Sequence, residues 1–152
     1  MHFFTSLTRM WLTRTVQPFT FRREYDQALP FAECESLGLY VHIPFCKSIC
    51  NFCPYCKVRY SAKLCDRYID SLIQEIHLVG GQYPGRKKAT SLYFGGGTPS
   101  YIPPKLILGA MNQVKKCFHL AKNAEVTLEL NPGTIGENKV KTYREAGINR
   151  YS

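Results

Sequence analysis

An α/β fold built on a parallel sheet is the class this sequence predicts, on three observations. Short runs rich in β-branched, aromatic and leucine residues stand at Leu39 to Ile43, Ser91 to Phe94 and Val126 to Leu130. After each comes a stretch offering helical caps, stops or apolar residues at i, i+3 and i+4. Two of the runs also alternate cleanly: Val41 and Ile43 oppose Tyr40 and His42, and Val126, Leu128 and Leu130 oppose Thr127 and Glu129. One face of the sheet is therefore expected to pack on helices while the other turns polar groups to a shared interior. Strands and helices alternating at this spacing make βαβ units with right-handed crossovers.

Met1 to Leu37 read as an N-terminal arm and connector. The segment is acid-poor at first, and Phe3, Phe4, Trp11, Phe19 and Phe21 are available to pack across the main domain. A presequence or a membrane-surface segment competes for Arg9, Arg14, Arg22 and Arg23, but no cleavage signal is evident. Cys34 reads as an ordinary thiol.

Leu39 to Ile43 is the first strand, ended by Pro44, which lacks the donor a ladder needs. Ser61 then caps a helix with Leu64, Cys65, Tyr68, Ile69, Leu72, Ile73 and Ile76 on its apolar stripe and Gly80 and Gly81 as its stop. Ser91 to Phe94 is the second strand and runs into Gly95-Gly96-Gly97-Thr98-Pro99. Pro103 and Pro104 open a second helix with Ile107, Met111, Val114 and Phe118 buried. Val126 to Leu130 is closed by Asn131-Pro132-Gly133, Glu137 to Ala146 is a third helix stopped by Gly147, and Ile148 to Ser152 begins a fourth strand.

Three βα units cannot close a barrel. Residues 38–152 are accordingly expected to be the N-terminal part of a longer domain, and the fragment alone to be inactive or prone to aggregate through its unpaired edge.

At 152 residues with 45% hydrophobic content, the chain can bury one real core. The net charge of +9 comes from scattered Lys and Arg, so a basic face that attracts carboxylate-bearing or phosphate-bearing ligands accounts for it without nucleic acid. No stretch approaches the roughly 18 to 20 apolar residues of a membrane span. Clustered free thiols fit a reducing compartment, and the expected location is the cytoplasm.

The chemistry is carried by Leu39 to Tyr60. There Cys46, Cys50 and Cys53 stand as C-x3-C-x2-C and Cys56 follows, four cysteines in eleven residues. Structural zinc usually pairs two separated knuckles, and no second knuckle exists; the order also differs from a ferredoxin run. Seven cysteines is an odd number for a disulfide framework. The reading that survives is an iron–sulfur loop held by three cysteines, with one iron open to a small molecule.

C-x3-C-x2-C with Phe52 before its last cysteine resembles the signature of radical S-adenosylmethionine (SAM) proteins. The wider string from Tyr40 to Cys53 resembles more narrowly the oxygen-independent coproporphyrinogen III oxidase family, which includes haem chaperones. That resemblance implies a partial (β/α)6 TIM-like barrel and a 4Fe–4S cluster on Cys46, Cys50 and Cys53. It also implies SAM as cosubstrate, a reducing electron-donor protein, and a porphyrinogen or haem as the small molecule. Oxidative decarboxylation through a 5′-deoxyadenosyl radical is the enzymatic activity implied, and haem chaperoning the alternative.

By the same resemblance Gly96, Gly97 and Thr98 lie against SAM, Glu129 hydrogen-bonds it, Tyr40 contacts it and Phe52 stacks beside its adenine. Strand alternation alone leaves Glu129 equally suited to a structural ion pair, Tyr40 to a core role and Phe52 to shielding the cluster. The glycines, read as residues, let backbone amides approach a ligand. His42 is assigned no role. In the oxidase subgroup a fourth cysteine stands two positions after the third, where this chain has Tyr55; that looks more like the chaperone branch. Cys56 as a fourth ligand would close the open site.

Overall fold

The computed structural model describes residues 31–83 and 85–152. The aromatic arm expected before Phe31 lies outside them. Six strands occur among these residues: β1 (Ser36–Ile43), β2 (Phe45–Cys46), β3 (Val58–Arg59), β4 (Lys88–Gly96), β5 (His119–Leu128) and β6 (Arg150–Tyr151). Three α-helices, α1 (Ala62–Gly81), α2 (Pro104–Cys117) and α3 (Glu137–Ala146), alternate with them. The main sheet has the order β1-β4-β5-β6 and every pairing in it is parallel, as the βαβ pattern predicts.

One face of that sheet makes the core. Val41, Ile43, Leu92, Phe94, Val126 and Leu128 are buried against Ile69, Ile107, Met111, Val114 and Tyr143 of the helices. Each such side chain removed from water contributes roughly 1.5–3 kcal/mol, so this interface is what forces the helices onto the sheet.

Several boundaries differ from expectation for reasons outside local pattern. Strand β1 starts at Ser36 because Ser36 and Leu37 pair with Lys88 and Ala89 before a bulge at Gly38. The Lys87 ammonium fixes the turn ahead of it, donating to the carbonyls of Ala32 at 2.6 Å and Cys34 at 2.7 Å. Helix α1 ends at Gly81, as the glycine pair predicts, with Gln82 as its C-cap. A Cβ at Gly80 would lie 2.5 Å from Cys117 Cβ, so this glycine permits close contact with the end of α2. Leu64, expected on the buried stripe of α1, is 45% exposed. Ser61 occupies the N-cap without a side-chain capping bond. Strand β5 ends at Leu128, although the Glu129 amide still donates to the Phe94 carbonyl.

The two-residue strands β2 and β3 were not legible as strands. They pair in parallel, with Val58 N donating to Pro44 O at 2.8 Å and Tyr60 N to Cys46 O at 2.9 Å. The cysteine loop is thereby pinched shut at its neck, just beyond the C-terminal end of β1.

Candidate functional site

The loop between β2 and β3 folds over a cavity of about 250 Å³ lined by Cys46, Cys50, Cys53, Phe52, Gly97 and Thr98, among others. All three cysteines of the motif border this space; Cys56 does not. Among the described residues no three His, Cys, Asp or Glu groups are gathered as a ready-made chelating set, so what the motif cysteines share is a cavity wall. Three soft thiol donors from one short loop suit an iron–sulfur centre better than a hard cation.

Local contacts make one thiol distinct. The Tyr55 backbone N–H holds the Cys53 thiol below the usual cysteine range; burial opposes it, and the Lys57 ammonium adds to the lowering. Lys57 Nζ also donates to the Cys53 carbonyl. Cys65, by contrast, is buried in the core and its thiol is pushed up to about 11, which makes it an inert packing residue.

The glycine loop docks across the exit of β1. Gly97 N donates to Ile43 O at 2.8 Å and Thr98 N to Phe45 O at 2.9 Å. A Cβ on Gly97 would stand 2.7 Å from the Pro44 carbonyl carbon, and Gly96 takes φ +120°, so both positions need glycine. The Gly97 and Thr98 amides close the loop onto its neighbours. Thr98 Oγ1 does face the cysteine cavity, lying 3.8 Å from Cys46 Sγ as a weak donor.

Gly96 N donates instead to Glu129 Oε2 at 2.9 Å, and Tyr93 OH donates to Glu129 Oε1 at the same distance. Each carboxylate oxygen has therefore one neutral donor and keeps a lone pair for another. The Tyr93 ring stacks on Tyr40, centroids 5.9 Å apart, and Tyr40, Tyr93 and Thr127 are register partners across three strands. Tyr40 is 58% exposed on the polar face of the sheet, as alternation predicts. Burial, followed by the Glu129 carboxylate, pushes its phenol up, so it remains a donor at neutral pH.

That donor goes to His42. Tyr40 OH lies 3.1 Å from His42 Nδ1, and His42 Nε2 lies 2.9 Å from the Cys56 carbonyl. A carbonyl only accepts, so Nε2 carries the hydrogen and Nδ1 accepts from the phenol. His42 and Tyr93 are the site residues that sequence reasoning passed over. Alternation from Leu92 and Phe94 would have put Tyr93 on the polar face; nothing local signals the His42 contact.

A second cavity, of about 490 Å³, adjoins the first through Gly97, Thr98 and Asn131 and is bordered by Glu129, Leu130 and Ser152. The two cavities share this wall at the C-terminal strand ends, where barrel enzymes carry their sites. Phe52 borders the cysteine cavity and is 89% exposed.

Residues 40–152 match the Radical SAM superfamily. Coproporphyrinogen III oxidase, anaerobic 1, of Cereibacter sphaeroides is 35% identical over 129 residues, which are 84% of this chain and 27% of that protein. Heme chaperone HemW of Buchnera aphidicola is 34% identical over 117 residues, 76% of this chain and 31% of that one. The solved structure of coproporphyrinogen III oxidase (HemN) from Escherichia coli, described as a radical SAM enzyme, superposes with a TM-score of 0.75 at 32% identity. The superposition covers 84% of this chain and 30% of that one. The chain thus spans between a quarter and a third of the length of these relatives.

Proposed function

The chain belongs to the radical SAM superfamily, and from that premise we propose that Cys46, Cys50 and Cys53 hold a 4Fe–4S cluster with SAM laid along the adjoining cavity. When bound, the cluster supplies an electron and an open iron, and SAM the carbon radical that takes hydrogen from a substrate. The protein's own part is positioning. Glu129, whose oxygens each keep a lone pair, accepts from the donor groups of SAM; Thr98 and the glycine turn form the floor. Phe52 shields the adenine side, and Tyr40 is held upright by Tyr93 and His42.

The observation that supports this reading is that the three motif thiols line one cavity and Glu129 lines a neighbouring one, the two sharing Gly97, Thr98 and Asn131, while Cys56 lines neither. In the complete protein the proposed reaction is oxidative decarboxylation of coproporphyrinogen III, the substrate named for two of the relatives. Its reducing equivalents come from an electron-donor protein, in the cytoplasm. Tyr55, where the oxidase subgroup has a cysteine, favours a second reading: a haem chaperone that keeps the cluster and performs no turnover.

Anaerobic reconstitution tests the site. Ala at Cys46, Cys50 or Cys53 should each abolish the brown absorbance and Cys56→Ala should retain it; equal bleaching by Cys56→Ala would overturn the ligand set. Incubating the full-length protein with SAM and coproporphyrinogen separates the branches. Protoporphyrinogen with 5′-deoxyadenosine supports the oxidase, and haem transfer without decarboxylation supports the chaperone.

A further inference from the structure

One thiol of the loop has no part in the site described above. Cys56 is exposed, lies outside the cavity lining and stands at C-x-x-C spacing from Cys53, in Cys53-Pro54-Tyr55-Cys56. This spacing is the one that closes small redox rings in dithiol proteins.

The backbone of the pair is tied at both cysteines. Lys57 Nζ donates to the Cys53 carbonyl, and His42 Nε2 anchors the Cys56 carbonyl at 2.9 Å. Pro54 restricts the backbone between them. With both carbonyls tied and both thiols reachable from solvent, little chain entropy remains to be lost on bridging them. The other C-x-x-C frame, Cys50 to Cys53, has both members on the cavity wall, its turn closed by a hydrogen bond from Cys53 N to Cys50 O at 3.4 Å. Of the remaining thiols, Cys65 is buried and Cys117 packs against Gly80 and accepts from Gln113.

We propose that Cys53 and Cys56 form a reversible disulfide in the cluster-free chain, which withdraws Cys53 from the cavity it shares with Cys46 and Cys50. The oxidant class is a low-molecular-weight disulfide such as glutathione disulfide. The Cys53 sulfur attacks one sulfur of the oxidant and releases one glutathione; the Cys56 sulfur then attacks Cys53 and releases the second. The two thiol protons end on the two glutathiones, and the two electrons lost by the pair reduce the S–S bond of the oxidant. That the bond blocks cluster uptake rests on the ligand reading above; that it forms does not.

The experiment uses the full-length, metal-free, reduced protein, equilibrated anaerobically with glutathione disulfide, alkylated and analysed by tandem mass spectrometry of the tryptic peptide from Ser48 to Lys57. The expected product has lost two hydrogens across Cys53 and Cys56, with Cys50 alkylated. Cys56→Ser should leave Cys53 as a mixed disulfide with glutathione, and Cys34→Ser should change nothing. Pairing of Cys53 with Cys50 or Cys46, or a freely alkylated Cys56 in oxidised protein, overturns the proposal. A second measurement separates it from the ligand assignment. Iron and sulfide uptake should fall about tenfold once the disulfide dominates and recover with dithiothreitol, and in Cys56→Ala the oxidant's block should be relieved by far less reductant. Normal uptake by protein shown to carry the Cys53–Cys56 bond would instead overturn Cys53 as a ligand and leave the disulfide standing.

Discussion

His42 Nε2 donates to the carbonyl of Cys56 across 2.9 Å, joining the end of β1 to the far leg of the cysteine loop. Beyond the short β2–β3 ladder this is a side-chain tie between loop and sheet, and Gly96 makes it possible: a Cβ there would lie 2.7 Å from the imidazole.

Removing that tie should loosen the loop. His42→Ala is expected to speed amide exchange over residues 47–57 by up to about tenfold, the loss of one hydrogen bond of roughly 0.5–1.5 kcal/mol. His42→Gln, whose amide can still donate to the carbonyl, should recover most of the protection. Equal exchange in all three proteins, measured by mass spectrometry, would show that the neck alone holds the loop.

Glu129→Gln keeps shape but turns an amide N–H₂ towards one of two donors, Gly96 N or Tyr93 OH. Cluster absorbance of the reconstituted protein should be unchanged while SAM affinity drops about tenfold, near 1.4 kcal/mol. Equilibrium dialysis with labelled SAM reads the difference.

Two glycines should respond in opposite senses to a methyl group. Gly97→Ala drives a Cβ to 2.7 Å from the Pro44 backbone and should destabilise by about 1–3 kcal/mol. Gly81→Ala, at a helical position with nothing within 4 Å, should stabilise by about 0.5–1 kcal/mol. Urea unfolding midpoints of the two variants, compared with the parent, check both signs.

Tyr143 is fully buried with a hydroxyl that has no partner among the described residues, and burial pushes its phenol up to about 12. Tyr143→Phe is expected to stabilise by about 1 kcal/mol because it removes an unsatisfied group. The sign with pH follows from the raised value. Between about 10 and about 12 the unfolded chain has lost the proton that the folded chain keeps, so the parent loses stability as pH rises through that window. The Phe variant should lack this component of the alkaline loss in thermal melts.

The helices and the parallel sheet were readable from residue spacing, because a stripe of Ile69, Leu72 and Ile76 or a Val41/Ile43 alternation commits a segment to one geometry and one buried face. The cysteine loop was readable for a similar reason: thiols at fixed short intervals in a turn-forming stretch can serve one centre. Leu64 was misread because its exposure comes from how α1 packs rather than from its neighbours in sequence.

The amino-acid order alone therefore settled the α/β class, the segments that pack, and the C-x3-C-x2-C loop with Glu129 on the opposite face from Val126 and Leu128. Folding in three dimensions settled which groups those residues meet. It turned the Gly97 and Thr98 amides inward to Ile43 and Phe45, set Tyr93 between Tyr40 and Glu129, and separated Cys56 from the cavity that Cys53 borders. The division is physical: periodicity is a property of neighbours along the chain, whereas a hydrogen-bond partner fifty residues away exists only once βαβ crossovers bring strand ends together.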